Sequence, residues 1–192
     1  PDQLLKEIQA DEENSNKGLL KIFFGYAAGV GKTYAMLEAA HMAKQQGIDV
    51  VAGYVEPHAC PKTAALLNGL EVLPTREVFY NGMILDEFDI GMALKRKPQL
   101  ILVDELAHTN AEGCRHAKRY QDIKELLNAG IDVYTTVNVQ HIESLCDTVA
   151  SITEIVVRER IPDSIFDNAD QVELIDIEPQ NLINRLNTGN VY

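Results

Sequence analysis

Residues 25–33, with the sequence GYAAGVGKT, constrain the fold of this chain more than any other segment. They directly follow the apolar segment 19–24, LLKIFF, which has the composition of a buried strand. A glycine-rich loop between a strand and a helix can turn its backbone N–H groups inward, where they hold phosphate oxygens. The segment therefore predicts a strand, a phosphate-binding loop and a helix, in that order.

The residue types in this loop suit different parts of a bound nucleoside triphosphate. Lys32 supplies a positive charge for the β- and γ-phosphates, and the hydroxyl of Thr33 can bind Mg²⁺. The residues that we expect to contact the nucleotide are Gly29, Val30, Gly31, Lys32, Thr33 and Tyr34. The alternative is a glycine-rich turn between strand and helix that binds no ligand.

Tyr26 departs from the strict pattern of such loops, which has a small residue five positions before Gly31. The nearest glycine is Gly25. A tyrosine side chain that points away leaves the loop intact, whereas one that points inward weakens phosphate binding. Both orientations are compatible with the sequence.

A second motif follows later in the chain, where the apolar segment 100–103 ends in Asp104 and Glu105. In P-loop NTPases a strand of this kind lies beside the phosphate loop. Its first acid typically reaches Mg²⁺ and its second can polarise an attacking water. We therefore expect Asp104 to bind Mg²⁺ together with Thr33, and Glu105 is the candidate catalytic base.

Polar residues also follow two other predicted strands. Glu56 comes after the second strand, and Asn138 follows the segment 133–137. The carboxyl ends of parallel strands face one ligand crevice, so both side chains are candidates for nucleotide contact. Polar loops surround every sheet, however, and a solvated loop is an equally good interpretation.

The segment 115–119, RHAKR, is a basic cluster in an acidic chain. Arg115 and Arg119 are candidates for contact with phosphate, either in the same chain or as an arginine finger toward a neighbouring subunit. The alternative is a solvated start of a helix whose charges are balanced by nearby acids.

Apolar segments alternate with helical periodicities along the rest of the chain. Strands are predicted at 48–55, 100–103, 133–137, 155–157 and 172–175, and helices after the phosphate loop and near 62–70, 87–95, 123–127, 140–150 and 179–187. Asn81 and Gly82 predict a hairpin between 78–80 and 83–85. Strands separated by helices favour an α/β fold, with a mostly parallel sheet that carries helices on both faces. With the phosphate loop, this predicts a RecA-like P-loop domain over residues 18–192, after a polar tail or linker at 1–17.

Charge and composition exclude several classes of partner. The chain has 17 Lys and Arg against 29 Asp and Glu, a net charge of −12, which argues against nonspecific binding to nucleic acid or to an anionic membrane. No apolar run reaches the roughly 18 residues that a membrane-spanning helix needs, so we expect no membrane insertion. A chain that begins with Pro1 is expected to be part of a longer protein.

Taken together, the motifs resemble the N-terminal cytoplasmic domain of the KdpD family, the bacterial osmosensitive potassium-sensing histidine kinases. The matching segments are GYVE at 53–56, GVGKTYAML at 29–37, VDELAHTN at 103–110 and GIDVYTTVNVQH at 130–141. The resemblance covers nearly all of residues 18–192. Four residues depart from the family pattern: Tyr26, Pro57, Ala59 and Ala117.

The resemblance implies ATP and Mg²⁺ as cofactors, and a domain that regulates the balance of kinase and phosphatase activity in a larger sensor kinase. It implies that the domain is cytoplasmic, that its partners are the remaining domains of an inner-membrane protein, and that a response regulator is contacted through the kinase core only. None of the five histidines lies in a phosphoacceptor sequence, so this segment is not expected to be the histidine kinase itself. Two alternatives stay open: an ATPase or phosphotransferase that acts on a small substrate, and an interaction scaffold with a vestigial loop.

Overall fold

Six parallel strands form the central sheet of the protein. The computed structural model describes residues 16–56, 61–177 and 179–188. The strands are Leu20–Gly25 (β1), Val50–Tyr54 (β2), Glu71–Val72 (β3), Leu100–Val103 (β6), Asp132–Asn138 (β7) and Gln171–Leu174 (β8), and Arg76–Tyr80 (β4) pairs with Met83–Glu87 (β5) in a separate antiparallel hairpin. The order in the sheet is β3-β2-β6-β7-β1-β8. The predicted parallel α/β architecture is confirmed.

Helices connect these strands. They are Lys32–Gln45 (α1), Pro61–Leu66 (α2), Ile90–Arg96 (α3), Arg119–Asn128 (α4), Glu143–Thr153 (α5), Asp163–Asp167 (α6) and Pro179–Asn187 (α7), with a short 3-10 helix at Val139–His141. Among the described residues no helix has the length and apolar character that crossing a membrane requires.

Alternate residues of the central strands face two separate apolar cores. In β6, Leu100 and Leu102 lie in one core, whereas Ile101 and Val103 lie in the other. Helix α1 packs in the first core, and α3 and α4 pack in the second. Burying one such side chain contributes about 1.5 to 3 kcal/mol, so an apolar β6 requires a helical layer on each face.

The hairpin forms where the sequence predicts it. Asn81 and Gly82 have φ angles of 48° and 82°, the positive values that a two-residue turn of this type needs. The helix predicted from residue 87 instead begins at Ile90, because Glu87 ends β5 and Asp89 caps the helix by accepting the N–H of Met92 at 3.0 Å.

The prediction of a strand at 155–157 is wrong. These residues lie between α5 and α6 outside any strand, and Ile155 and Val156 are 60% and 75% exposed. Their branched apolar side chains favour a strand locally. The strand that pairs with β1 at this edge of the sheet is β8, residues 171–174, where the sequence also predicts a strand at 172–175. The two-residue strand β3 and helix α6 are further elements that the sequence pattern did not predict.

The strand order determines what lies at the carboxyl edge of the sheet. Strand β7 lies between β1, which leads into the glycine-rich loop, and β6, which ends before Asp104. The loops that follow β1, β2, β6 and β7 consequently surround one region. The predictions for residues 1–15 and for 57–60 lie outside the described residues.

Candidate functional site

An open cleft of about 1080 Å³ lies at the carboxyl edge of the sheet. A volume near 1,000 Å³ is at the upper end of small-molecule sites in proteins. The predicted site residues that line it are Gly29, Val30, Gly31, Lys32, Thr33, Tyr34, Glu56, Asp104, Glu105 and Asn138. The fold thus brings together segments that are far apart in sequence.

The glycine-rich loop has the backbone conformation that its glycines allow. Gly29 and Gly31 have φ angles of 79° and 104°, in the left-handed region where a side chain is unfavourable. Gly31 directly precedes α1, a helix with no acidic residue in its first turn. The partial positive charge at a helix N-terminus favours a negatively charged group beside it.

Lys32 is the first residue of α1 and reaches back over the loop. Its Nζ donates a hydrogen bond to the carbonyl oxygen of Ala27 at 2.9 Å. Burial lowers the pKa of Lys32 to about 8, although the negative charges of Asp104 and Glu105 oppose this shift. A phosphate group beside Lys32 would offset the cost of burying its charge.

Thr33 and Asp104 connect the two motifs. The Thr33 hydroxyl donates to Oδ2 of Asp104 at 3.1 Å, and the carboxylate is almost fully buried. The backbone N–H of Glu56 donates to the same oxygen at 3.3 Å, and the hydroxyl of Thr136 donates to Oδ1. This carboxylate is thereby held from helix α1, from the segment that follows β2 and from strand β7.

The Thr33 and Asp104 oxygens fit a magnesium ion. Mg²⁺ usually takes one or two protein oxygens, and substrate phosphates and water complete its coordination. The described part of the chain contains no cluster of three or more His, Cys, Asp or Glu side chains that could hold a metal alone. Thr33 and Asp104 alone would leave most coordination positions of such an ion to other ligands.

Glu105 follows Asp104 with a φ angle of 61°, which is unusual for a residue with a side chain. Its N–H donates to the hydroxyl of Thr136 at 3.1 Å. About half of the side chain, 48%, is exposed in the cleft. Partial loss of water raises the pKa of Glu105, and the charges of Glu56 and Asp104 raise it further. A carboxylate with a raised pKa is a better proton acceptor than a free one.

Glu56 and Asn138 border the cleft, Glu56 from two residues beyond the end of β2 and Asn138 as the last residue of β7. Oε2 of Glu56 accepts the hydroxyl proton of Tyr54 at 2.7 Å. Oδ1 of Asn138 is buried and has no hydrogen-bond partner among the described residues. Both residues lie where strand ends meet, as the sequence predicts.

Arg115 and Arg119 lie elsewhere. Arg115 is half-exposed and pairs with Glu125, with 2.7 Å between Nη2 and Oε1. Arg119 is completely buried and pairs with Glu87 at 3.2 Å. As far as the described residues form the cleft wall, neither arginine belongs to it.

The side chain of Tyr26 points toward the segment that follows β8. Its hydroxyl donates to the carbonyl oxygen of Ile177 at 2.9 Å, beyond the end of β8. It is absent from the described residues that line the cleft. Of the two orientations that the sequence allows, the structure therefore has the one that leaves the loop clear.

Two residues at the site escaped the sequence interpretation. Thr136 holds both Asp104 and Glu105, and its signal was a pair of threonines at the centre of a predicted strand. Glu87 lies with both carboxylate oxygens 3.1 Å from Nε2 of His108. The sequence pattern placed Glu87 in the following helix and gave no sign of this contact.

The fold and the cleft define a class: a parallel α/β domain that places a glycine-rich loop opposite an acidic strand end. Within that class, the chain belongs to the KdpD sensor-domain family. The family described as "KdpD: Osmosensitive K+ channel His kinase sensor domain" matches residues 16–192.

Full-length relatives support the assignment. The whole chain is 62% identical to "Sensor protein KdpD" of Clostridium acetobutylicum and 55% identical to "Sensor protein KdpD" of Escherichia coli K12, and it covers 21% of each. It is 52% identical, over 92% of its length, to "Putative sensor protein KdpD" of Synechocystis, of which it covers 48%. The chain thus spans about a fifth of the length of the first two relatives.

Proposed function

We propose that the cleft binds Mg-ATP and that its occupancy regulates a larger sensor kinase. The observation that supports this most strongly is the 3.1 Å contact between Thr33 and Asp104, which joins the phosphate loop to the acidic strand across 71 residues of sequence. An apolar strand that ends in two acids says little alone, but its contact with a glycine-rich loop of this type supports a site for a metal-bound triphosphate.

Each group has a defined task in this proposal. The N–H groups of residues 29–31 and the start of α1 bind phosphate oxygens, and Lys32 neutralises their charge. Thr33 and Asp104 hold the magnesium ion, which screens the negative charge of the triphosphate when bound. Glu56 and Asn138 bind groups of the ligand at the ends of β2 and β7.

The regulatory part of the proposal comes from the relatives. They are named sensor proteins, and this chain corresponds to about a fifth of the first two. Occupancy of the cleft then modulates kinase and phosphatase activities in the other domains of an inner-membrane parent protein. In this proposal the domain is cytoplasmic, and a response regulator contacts the kinase core only.

Titration of Mg-ATP into the wild-type protein and a Lys32→Ala variant tests the binding. A charge-assisted contact contributes about 1.5 to 3 kcal/mol, so we expect the variant to bind about ten- to a hundredfold more weakly. Lys124→Ala, at an exposed position of α4, is the matched control and should bind like the wild type. Equal affinity in the wild type and Lys32→Ala would contradict the assignment, and no binding by the wild type would favour a scaffold.

Hydrolysis of ATP is a second candidate, because Glu105 faces the cleft and its pKa is raised. Under this proposal, steady release of phosphate is lost in Glu105→Gln while Mg-ATP binding is retained. Binding without turnover in the wild type would instead favour a regulator that senses occupancy alone.

A further inference from the structure

Arg119 lies against the turn that carries both cleft acids. It is the first residue of α4 and is 0% exposed, which is rare for an arginine and requires that its charge be paired. Nη1 donates to the carbonyl oxygen of Asp104 at 3.0 Å. The guanidinium group also stacks on the ring of Tyr54, at 4.2 Å from its centroid.

Glu87 balances the charge of Arg119. Its Oε2 accepts Nη2 of Arg119 at 3.2 Å, and its Oε1 accepts the N–H of Ala111 at 2.9 Å. Burial alone would raise the pKa of Glu87, but the hydrogen bonds from His108 and Ala111 and the charge of Arg119 lower it overall. The carboxylate is therefore ionised, and the guanidinium group is fixed from the side of the hairpin.

The peptide between Asp104 and Glu105 is held at both of its polar atoms. Arg119 binds the carbonyl oxygen, and the hydroxyl of Thr136 accepts the Glu105 N–H at 3.1 Å. Glu105 has a φ angle of 61°, and such a conformation persists only where surrounding contacts impose it. The orientation of this peptide decides where the two carboxylates point.

We propose that Arg119, held by Glu87, is a positioning residue of the cleft. It fixes the Asp104–Glu105 peptide so that the Asp104 carboxylate faces Thr33 and the Glu105 side chain faces the ligand. Arg119 itself does not touch the ligand. This inference rests on the proposed binding of Mg-ATP.

A purely stabilising role makes a different prediction. A buried ion pair can often be replaced by well-packed apolar residues with no loss of stability. If Arg119 and Glu87 only fill space in the core, an apolar pair should serve equally well. If they position Asp104, an apolar pair should fold and still bind magnesium badly.

The test compares the affinity for ATP with excess Mg²⁺ and with EDTA, in the double variant Arg119→Met with Glu87→Leu. We expect the gain in affinity that Mg²⁺ provides to fall about tenfold or more, because a misplaced Asp104 loses the metal. The affinity without Mg²⁺ should stay within about twofold of the wild type, since the phosphate loop is unchanged. A general loss of structure would lower both affinities together.

Arg119→Lys provides the same test if the double variant does not fold. Lysine keeps the charge that Glu87 needs, but it lacks the planar fork that reaches two acceptors. Arg96→Met is the matched control, because Arg96 pairs with Asp49 and Glu71 and is not among the described residues that line the cleft. Its magnesium-dependent gain should equal that of the wild type.

The outcomes separate the two proposals. The positioning role is overturned if Mg²⁺ increases the affinity for ATP as much in the folded double variant, or in Arg119→Lys, as in the wild type. That result leaves the proposed function intact. Absence of Mg-ATP binding in the wild type overturns the proposed function, and the positioning role falls with it. A loss confined to the magnesium-dependent gain supports both.

Discussion

Lys32 changes its charge within the range of pH in which proteins are usually studied, because burial lowers its pKa to about 8. A phosphate ligand favours the charged form, so binding near pH 8 takes up a proton. We predict that the affinity for Mg-ATP falls by about tenfold between pH 7 and pH 9, as the free protein loses that proton. Calorimetric titrations across this range would measure the change.

The Lys32→Ala variant is the control for this pH dependence. It should lose the fall in affinity and retain only the dependence that comes from ionisation of the nucleotide itself. An equal fall in the wild type and the variant would show that another group is responsible.

Tyr26 should affect stability but not the ligand. In Tyr26→Phe the hydrogen bond to Ile177 is lost, and we predict that the free energy of unfolding falls by about 0.5 to 1.5 kcal/mol. Mg-ATP affinity should change by less than about twofold, because the side chain points away from the cleft. Urea unfolding and nucleotide titration check the two parts, with the exposed Tyr80→Phe as a control. A large loss of affinity would mean that the hydroxyl acts on the loop.

The sequence predicts some site residues well and others not at all, for a physical reason. Lys32 and Thr33 occupy fixed places in a local strand–loop–helix unit, so their neighbours along the chain determine where they lie. Arg119 is buried by Glu87, Asp104 and Tyr54, which come from three other elements. The sequence of a basic cluster is the same whether its side chains face solvent or a buried carboxylate. Only the packing of those elements decides which arginine is buried.

At the scale of the element, the β4–β5 hairpin contains a like-charge pair. Glu77 and Asp86 lie opposite each other across the two strands, where equal charges are destabilising. We predict that Glu77→Lys increases the free energy of unfolding by about 0.2 to 1 kcal/mol, measured by urea unfolding at low salt.

Any Glu→Lys change also reduces the net charge of −12, so the hairpin variant needs a charge-matched control. Glu112→Lys, in an exposed loop, makes the same change of charge away from a paired strand. Equal stabilisation by the two substitutions would show that the effect is general and not specific to the cross-strand pair.

Elements are predicted where local pattern and tertiary context agree. Segment 100–103 is apolar on both faces and is central in the sheet, so composition alone indicates a buried strand. Segment 155–157 has a similar composition but no strand lies beside it, whereas all four residues of β8 are exposed and still pair with β1. Whether an apolar segment finds a partner strand depends on the assembled fold and leaves no local signal.

At the scale of the whole molecule, a ligand that binds only the folded state must raise the temperature of unfolding. At a concentration of Mg-ATP about a hundredfold above Kd, the stabilisation is about 2.7 kcal/mol. For a domain of 192 residues we predict an increase in Tm of about 5 to 10 °C by scanning calorimetry. Lys32→Ala should show a smaller increase at the same nucleotide concentration, and an unchanged Tm in the wild type would argue against specific binding.

The acidic composition and the proposed ligand are compatible because they act at different scales. The net charge of −12 describes the field around the whole chain, which repels polyanions at a distance. The cleft contains a helix N-terminus and Lys32, which act over a few ångströms on a phosphate already in contact. Binding of a magnesium-neutralised triphosphate therefore does not require a basic protein.

The strand order has a consequence for the nascent chain on the ribosome. Strand β1 is synthesised first, yet Leu19 bonds to Asp132, 113 residues later, and Leu20 bonds to Asp170, 150 residues later. At about 5 to 20 residues per second, the first partner strand follows roughly 6 to 23 s behind. Ile22 and Phe23, which are fully buried in the finished domain, are thus without their strand partners Thr135 and Thr136 during that interval. We expect chaperones that bind apolar segments to recognise this strand while translation continues.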